Sequence, residues 1–301
     1  MSTKIRIGTR ESQLATWQAE FVAQKLKEVG VETELIFIKT EGDRVLDTPL
    51  PLMGGKGVFT KALDDAMLNG EVDIAVHSFK DIPTVQPEGL TVGAVMERAD
   101  VRDVLVARDG IDFMSQEDYD GIIATSSTRR RAQWLSKFPK HDTTDIRGNV
   151  NTRLRKLSES DWDGAIFAAA GLQRIGLEGH ISTFLDWMLP APAQGAVAVM
   201  CREDDEEIQP YLDEITHEET KIATRVERDF LHILEAGCSA PVGSLVTLNE
   251  GKLHFRGVVL SADGLERIDV EKVVPVNDFQ NIGQKMADLA LKQGAAKLLT
   301  D

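Results

Sequence analysis

Apolar and polar positions fall into a repeating order along the first two-thirds of the chain. "KIRIGT" (4–9) reads as a strand. "SQLATWQAEFVAQKLKEVG" (12–30) reads as an amphipathic helix that stops at Gly30. "TELIFIKT" (33–40) predicts a strand, "VFTKALDDAMLNG" (58–70) a helix ending at Gly70, and "VDIAVHS" (72–78) a short apolar strand. The order recurs as "DGIIATS", "STRRRAQWLSKF", "TTDI", "VNTRLRKLSE" and "DGAIFAAA" between residues 120 and 170. Such alternation implies α/β architecture, with parallel sheets covered on both faces. "IGTRESQLATWQA" and "IATSSTRRRAQWL" each run from a strand through a turn with hydroxyls and arginine into a helix bearing Trp, which points to two similar α/β domains. "TVQPEGLTVGAVMERADVRDVLVARDG" (84–110) lies between them and contains strand-like runs, read as crossing segments, and "GAVAVMCRE" adds a strand, where Cys201 is expected as a small core residue.

From residue 217 the pattern changes. "HEETKIATRVERDFLHILEAG" predicts a long helix, followed by strands "GSLVTL", "KLHFRGVVLS" and "RIDVEKVVP" joined by Asn-Glu-Gly and Ala-Asp-Gly turns, then the helix "FQNIGQKMADLALKQG". This is a small α+β domain. The expected organisation is 1–98 with 194–216 as the first α/β domain, 99–193 as the second, and 217–301 as the third.

A length of 301 residues with 42% hydrophobic and 28% charged residues agrees with a soluble protein of two or three domains. No apolar run approaches the roughly 20 residues of a membrane span. The strand pattern at the N-terminus leaves no signal peptide in view, and two cysteines give no disulfide framework, so the cytoplasm is expected. A net charge of −15 argues against nucleic acid as a partner. The six histidines show no metal spacing with the cysteines, and no metal site is expected.

Arginines nevertheless concentrate between residues 125 and 174. Helix N-termini with free backbone N–H groups bind anions, and hydroxyls and guanidinium forks strengthen them. "ATSSTRR" offers Thr125, Ser126 and Ser127 ahead of Arg129 and Arg130. "IRGNVNTR" offers Arg147, Gly148 and Arg153; "GTRES" offers Arg10 and Ser12. Three such sites predict a ligand with several anionic groups. "AVHSFKDIP" ends an apolar strand with Ser78, Lys80 and Asp81, where open α/β sheets bind ligands, and His77 within the strand is expected in the core. "PLPLMGGKGVFTKAL" lacks a nucleotide phosphate-loop pattern and reads as a lid. Cys238 lies on the small-residue turn "ILEAGCSAPVG", an open setting for a thiol that carries something bulky.

"GTRESQLATWQA", "GGKGVFTKAL", "DIAVHSFKDIPT", "ATSSTRRRAQ", "IRGNVNTRLRKL", "AAAGLQR", "QGAVAV" and "EAGCSAPVG" occur in the order seen in the porphobilinogen deaminase (hydroxymethylbilane synthase) family, which the chain resembles from residue 4 to about 243. The resemblance implies two periplasmic-binding-protein-like, doubly wound domains around a cleft, with a third domain carrying the cysteine. It implies a transferase of tetrapyrrole biosynthesis. Four porphobilinogen units are joined on a dipyrromethane cofactor held by Cys238 through a thioether, ammonia leaves at each addition, and hydroxymethylbilane is then hydrolysed off. It further implies Asp81 as the catalytic carboxylate. Cys238, Lys80, Ser78, Thr125, Ser126, Ser127, Arg129, Arg130, Arg147 and Gly148 would hold the cofactor. Arg10, Ser12, Gln18, Lys56, Phe59, Arg153, Arg174 and Gln194 would bind substrate. A monomer is the family expectation. The chain departs from the family pattern at Leu52, Ala124, Thr128, Ala193 (where Gly is usual), Ala236, Ser239 and Ala240, none of which removes a group that does chemistry. Without the resemblance, the same residues read as a non-catalytic two-lobed binding protein for a polycarboxylate, or as the sensing domain of a regulator.

Overall fold

The computed structural model describes residues 4–40, 60–234 and 240–299. In chain order its elements are β1 (Lys4–Thr9), α1 (Gln13–Glu28), β2 (Glu32–Phe37), α2 (Lys61–Leu68), β3 (Ile74–Ser78), β4 (Leu90–Val95), β5 (Asp103–Ala107), β6 (Ile122–Ala124), α3 (Thr128–Lys137), β7 (Asp142–Thr144), α4 (Val150–Ser158), β8 (Gly164–Ala168), α5 (Ala169–Gln173), β9 (Thr183–Phe184), β10 (Val197–Arg202), α6 (Gln209–Ile215), α7 (Glu218–Ile233), β11 (Val242–Asn249), β12 (Lys252–Leu260), β13 (Arg267–Pro275) and α8 (Ile282–Lys292). The expected strands and helices occur in order. Helix α5, read as the tail of a strand, the short β9 and α6, and a last turn of helix at Ala295–Leu298 are additions.

The chain divides into two compact units, Met1–Ala99 with Gly195–Ile222 and Asp100–Gln194 with Ala223–Asp301. The first holds a sheet of order β2-β1-β3-β10-β4 and the second one of order β7-β6-β8-β5-β9. The two patterns correspond. Strands β1 and β6, from the two similar sequence segments, each lie parallel to both neighbours. Strands β10 and β5 each run antiparallel to the strands beside them. The sheets are therefore mixed, not wholly parallel. The reason lies in connectivity: β5 and β10 are the strands that follow passage of the chain from one unit to the other, so no βαβ crossover fixes their direction.

In the first unit Ile5, Ile7, Ile74, Val76, Val197 and Val199 form the apolar face against Ala19, Val22 and Leu26 of α1 and Leu212 of α6. Each fully buried aliphatic side chain here contributes about 1.5–3 kcal/mol. Ser12 starts α1 by accepting a hydrogen bond from Ala15 N–H at 3.3 Å. Cys201 is buried in the same core, and burial pushes its thiol up to about 11. The second unit packs Leu105, Ile123, Ile166 and Leu185 around Trp134 of α3 on one face, and Val104, Val106, Ala165, Phe167 and Leu157 on the other.

Three antiparallel strands, β11-β12-β13, form a separate sheet in the second unit. Val258 and Leu260 of β12 pack on Ala132 of α3 and Leu189. Phe230 of α7 meets Phe255 edge-on with ring centroids 5.2 Å apart.

Candidate active site

In the first unit the candidate residues gather where β1 and β3 end. Arg10 follows β1 directly, and Ser12 caps α1. Gln18, one turn into α1, is buried and donates from Nε2 to Ser78 Oγ at 2.8 Å. That bond fixes the Ser78 hydroxyl at the strand end while leaving its own O–H hydrogen to donate. A single 3-10 turn, Phe79–Asp81, follows. Phe79 anchors it in the core, Lys80 is half-buried and Asp81 is exposed. The carboxylate of Asp81 is thus placed by the sheet, one short turn beyond its last strand residue. His77 is buried, as expected. Burial, with the positive charge of Arg10, pushes its imidazole down to about 4, and its Nε2 has no hydrogen-bond partner among the described residues.

In the second unit the corresponding strand ends carry the basic groups. Arg129 and Arg130 lie in the first turn of α3, whose cap is Ser127, accepting from Arg130 N–H at 3.4 Å. Both arginines are buried, and both grip Asp103 of β5, which is 0% exposed. Arg129 Nη1 donates to Asp103 Oδ2 at 2.6 Å and to the Leu189 carbonyl at 2.8 Å. Arg130 Nε donates to Asp103 Oδ1 at 2.9 Å, and its Nη1 to the Ile166 carbonyl at 2.9 Å. Two guanidiniums against one carboxylate leave the cluster one positive charge in excess. Burial lowers the Arg129 pKa and Asp103 opposes the fall; a guanidinium stays protonated at neutral pH. Its Nε is buried without a partner among the described residues. An orphaned donor on a surplus charge is a feature a ligand carboxylate would satisfy.

The neighbouring hydroxyls do structural work. Ser126 Oγ donates to the Ile146 carbonyl at 3.0 Å and accepts from Ile146 N–H at 2.9 Å. Thr125 is buried and accepts from Ser127 N–H at 3.2 Å. The Ser126 clasp fixes Ile146 and so the place of half-buried Arg147. Gly148 has φ +115°, and a Cβ there would stand 2.6 Å from Thr152. Glycine permits this turn, which brings the chain into α4 and lets Arg153 Nε donate to the Gly148 carbonyl at 2.8 Å. Arg174 closes α5, and burial pushes its guanidinium down to about 10. Gln194, expected on substrate, is fully buried, and its Nε2 donates to the Val101 carbonyl at 2.8 Å and to Asp103 at 3.0 Å.

Cys238, Lys56 and Phe59 lie outside the described residues, as do Leu52, Ala236 and Ser239. Among the described residues no group of three or more His, Cys, Asp or Glu is arranged to hold a metal ion, and no helix is long and apolar enough to cross a membrane.

Two residues of this network escape sequence reasoning. Asp103 opens the apolar run "DVLVA", and Glu227 sits within the buried stripe Ala223, Val226 and Phe230 of α7. A charged residue on a core-facing position is the signal that marks both.

The fold and these residues define an α/β protein with hydroxyls, arginines and Asp81 gathered at strand ends. A family model described as "Porphobilinogen deaminase, dipyromethane cofactor binding domain" matches residues 5–210, and one described as "Porphobilinogen deaminase, C-terminal domain" matches residues 221–292. A porphobilinogen deaminase of Syntrophomonas wolfei is 42% identical over 301 residues, covering 99% of this chain and 98% of its own. One of Desulfitobacterium hafniense is 42% identical over 301 residues, covering 99% and 97%. Among solved structures, the VFT2 domain of Bordetella pertussis BvgS aligns with TM-score 0.43 and 15% identity, covering 72% of this chain and 89% of its own. The chain belongs to the porphobilinogen deaminase family, and is an enzyme of that family with a dipyrromethane-binding domain.

Proposed function

We propose that the chain joins four porphobilinogen molecules head to tail, releasing ammonia at each addition, on a dipyrromethane held by a thioether to Cys238, and then releases hydroxymethylbilane by hydrolysis. Family membership supports the reaction. The observation that carries the residue assignment is the buried Asp103–Arg129–Arg130 cluster, with its surplus charge and an Arg129 Nε that has no hydrogen-bond partner among the described residues. Pyrroles bearing an acetate and a propionate supply the anions it lacks. The bound dipyrromethane supplies the primer, a pyrrole carbon that remains nucleophilic.

Arg129, Arg130, Arg147 and the backbone around Gly148 would hold the cofactor's carboxylates, with Thr125, Ser126 and Ser127 fixing the turns that present them. Ser78 and Lys80 are also assigned to the cofactor. Arg10, Ser12, Gln18, Arg153, Arg174 and Gln194 would bind or position substrate, together with Lys56 and Phe59. Asp81 is the catalytic carboxylate. Porphobilinogen's aminomethyl group is an ammonium at neutral pH; when its C–N bond breaks, ammonia departs with the bonding pair and a methylene-pyrrole cation remains. Asp81 stabilises that cation, accepts a pyrrole N–H, and takes the ring proton shed by the pyrrole carbon that attacks the methylene. A thiolate at Cys238 suits the attachment because it is a soft nucleophile for an electrophilic carbon.

We also read residues 217–301 as a domain of their own and the protein as a cytoplasmic monomer. The match of the C-terminal family model to 221–292 supports the former, and two cysteines in 301 residues fit a reducing compartment. The test is the intact mass of freshly purified protein with peptide mapping. One dipyrromethane on Cys238 is expected; an adduct on Cys201 overturns the attachment site.

A further inference from the structure

The segment Leu189–Gln194 is held from three sides within the second unit. Gln133 of α3, fully buried, grips Leu189 twice: its Nε2 donates to the Leu189 carbonyl at 2.9 Å and its Oε1 accepts from Leu189 N–H at 2.7 Å. From β11, Ser244 N–H donates to the Pro190 carbonyl at 3.0 Å. Gly243 permits this approach, since a Cβ there would stand 2.8 Å from the Leu189 carbonyl oxygen. From α7, Glu227 Oε2 accepts from Ala193 N–H at 2.7 Å, and its Oε1 accepts from Val246 N–H of β11 at 2.7 Å. Glu227 is 0% exposed.

Ala193 is one of three non-glycine residues with positive φ among the described residues, at +62°. The left-handed region strains any residue with a Cβ, so something must hold it there. The charge-assisted bond from its N–H to the buried Glu227 carboxylate does so. The next residue is Gln194, whose amide reaches Asp103. A chain of contacts therefore runs from Glu227 through Ala193 and Gln194 to the carboxylate that both arginines grip.

We propose that Glu227 is a positioning residue for Arg129 and Arg130, acting through the Ala193–Gln194 backbone on Asp103. The proposal rests on the function given above. If the left-handed residue relaxes, the peptide after it turns and Gln194 withdraws from Asp103. Asp103 then loses a donor and draws more heavily on the two guanidiniums. Arg129 becomes less available to a ligand carboxylate. Glu227 also ties α7 to β11, the elements on either side of Cys238 in the sequence, so one buried carboxylate registers both with the arginine pair.

Glu227→Gln keeps the size of the side chain but sets an amide N–H₂ against one of two backbone N–H donors. Gln194→Ala removes the other end of the chain without changing charge. Apo protein of each variant is loaded with porphobilinogen, and adduct formation is followed by intact mass, alongside KM, kcat and thermal unfolding. Both variants should load slower by on the order of tenfold or more, as small displacements at reacting centres do. Their KM should rise more than their kcat falls. The double variant should be no slower than about the worse single, because linked residues are non-additive. Glu227→Gln that melts earlier but loads and turns over normally, or a double variant whose effects add, overturns the positioning role. If Glu227→Gln does not fold, normal loading by Gln194→Ala overturns it and slowed loading supports it. Wild-type protein that never acquires the adduct overturns the proposed function and this role with it, whereas normal loading in all variants overturns the role alone.

Discussion

Arg129 Nη1 lies 2.6 Å from Asp103 Oδ2, with the arginine side chain 5% exposed and the aspartate 0%. Removing one member of a buried charge cluster strands the rest, at about 3–5 kcal/mol. Asp103→Asn should therefore be among the most destabilising substitutions in the chain, lowering Tm by roughly 10 °C, and differential scanning fluorimetry reads this directly. Arg129→Leu leaves Asp103 with Arg130 and Gln194, so it should still fold but purify largely as apo protein. Arg130→Leu should do likewise. Full loading and normal turnover in both arginine variants would make the cluster purely structural.

Ser126 ties the turn that presents Arg147. Ser126→Ala orphans the N–H and carbonyl of Ile146, each a partner of the hydroxyl. A loss of about 1–3 kcal/mol is expected in urea titrations, with a raised KM as Arg147 loses its fixed place. Unchanged stability would show that water replaces the hydroxyl without loss.

His77 predicts an acid limb in stability. Its folded value of about 4 lies below the ordinary 6.5, because burial penalises the charged ring. Between those values the unfolded chain binds the extra proton, so stability rises with pH in this window and is lost as pH falls from about 6.5 to 4. The loss amounts to about 3 kcal/mol. His77→Gln should lack this component when the two proteins are compared by denaturant unfolding across the window. Parallel curves would place the acid sensitivity elsewhere.

Much of this was legible in the sequence, and the remainder had physical reasons to be hidden. Helix α1 could be read from its periodicity and from Ser12, because capping is local. The direction of β10 could not be, since alternation of apolar residues carries no sense of parallel or antiparallel. Thr125, Ser126 and Ser127 read as ligand groups because the residues that bind anions at helix starts are also those that cap helices and clasp turns. Their hydroxyls engage backbone groups, so their proposed contribution to the cofactor passes through Arg147 and the arginine pair. Asp103 was hidden because its partners lie 26, 27 and 91 residues away in sequence, and only the fold brings them together.

Asp81 carries the chemistry in this account. Asp81→Asn preserves shape but removes both the charge and the proton acceptor, so elongation should nearly stop while folding is kept. Asp81→Glu retains both and shifts them by about a methylene. A residual rate reduced by roughly a hundredfold is expected, with partly elongated covalent species visible by mass spectrometry. Near-normal elongation by Asp81→Asn would remove this residue from the mechanism.

In the proposed reaction the chain grows its product on a primer bonded to Cys238. The most direct measurement is intact-mass analysis of purified protein before and after a brief pulse of porphobilinogen, with Cys238→Ser in parallel. The wild type should exceed its sequence mass by one dipyrromethane. It should then show discrete further additions of one pyrrole unit each, while the folded Cys238→Ser protein stays at sequence mass and is inactive. Active wild-type protein at bare sequence mass, or a Cys238→Ser protein that still accumulates the ladder, would contradict the account.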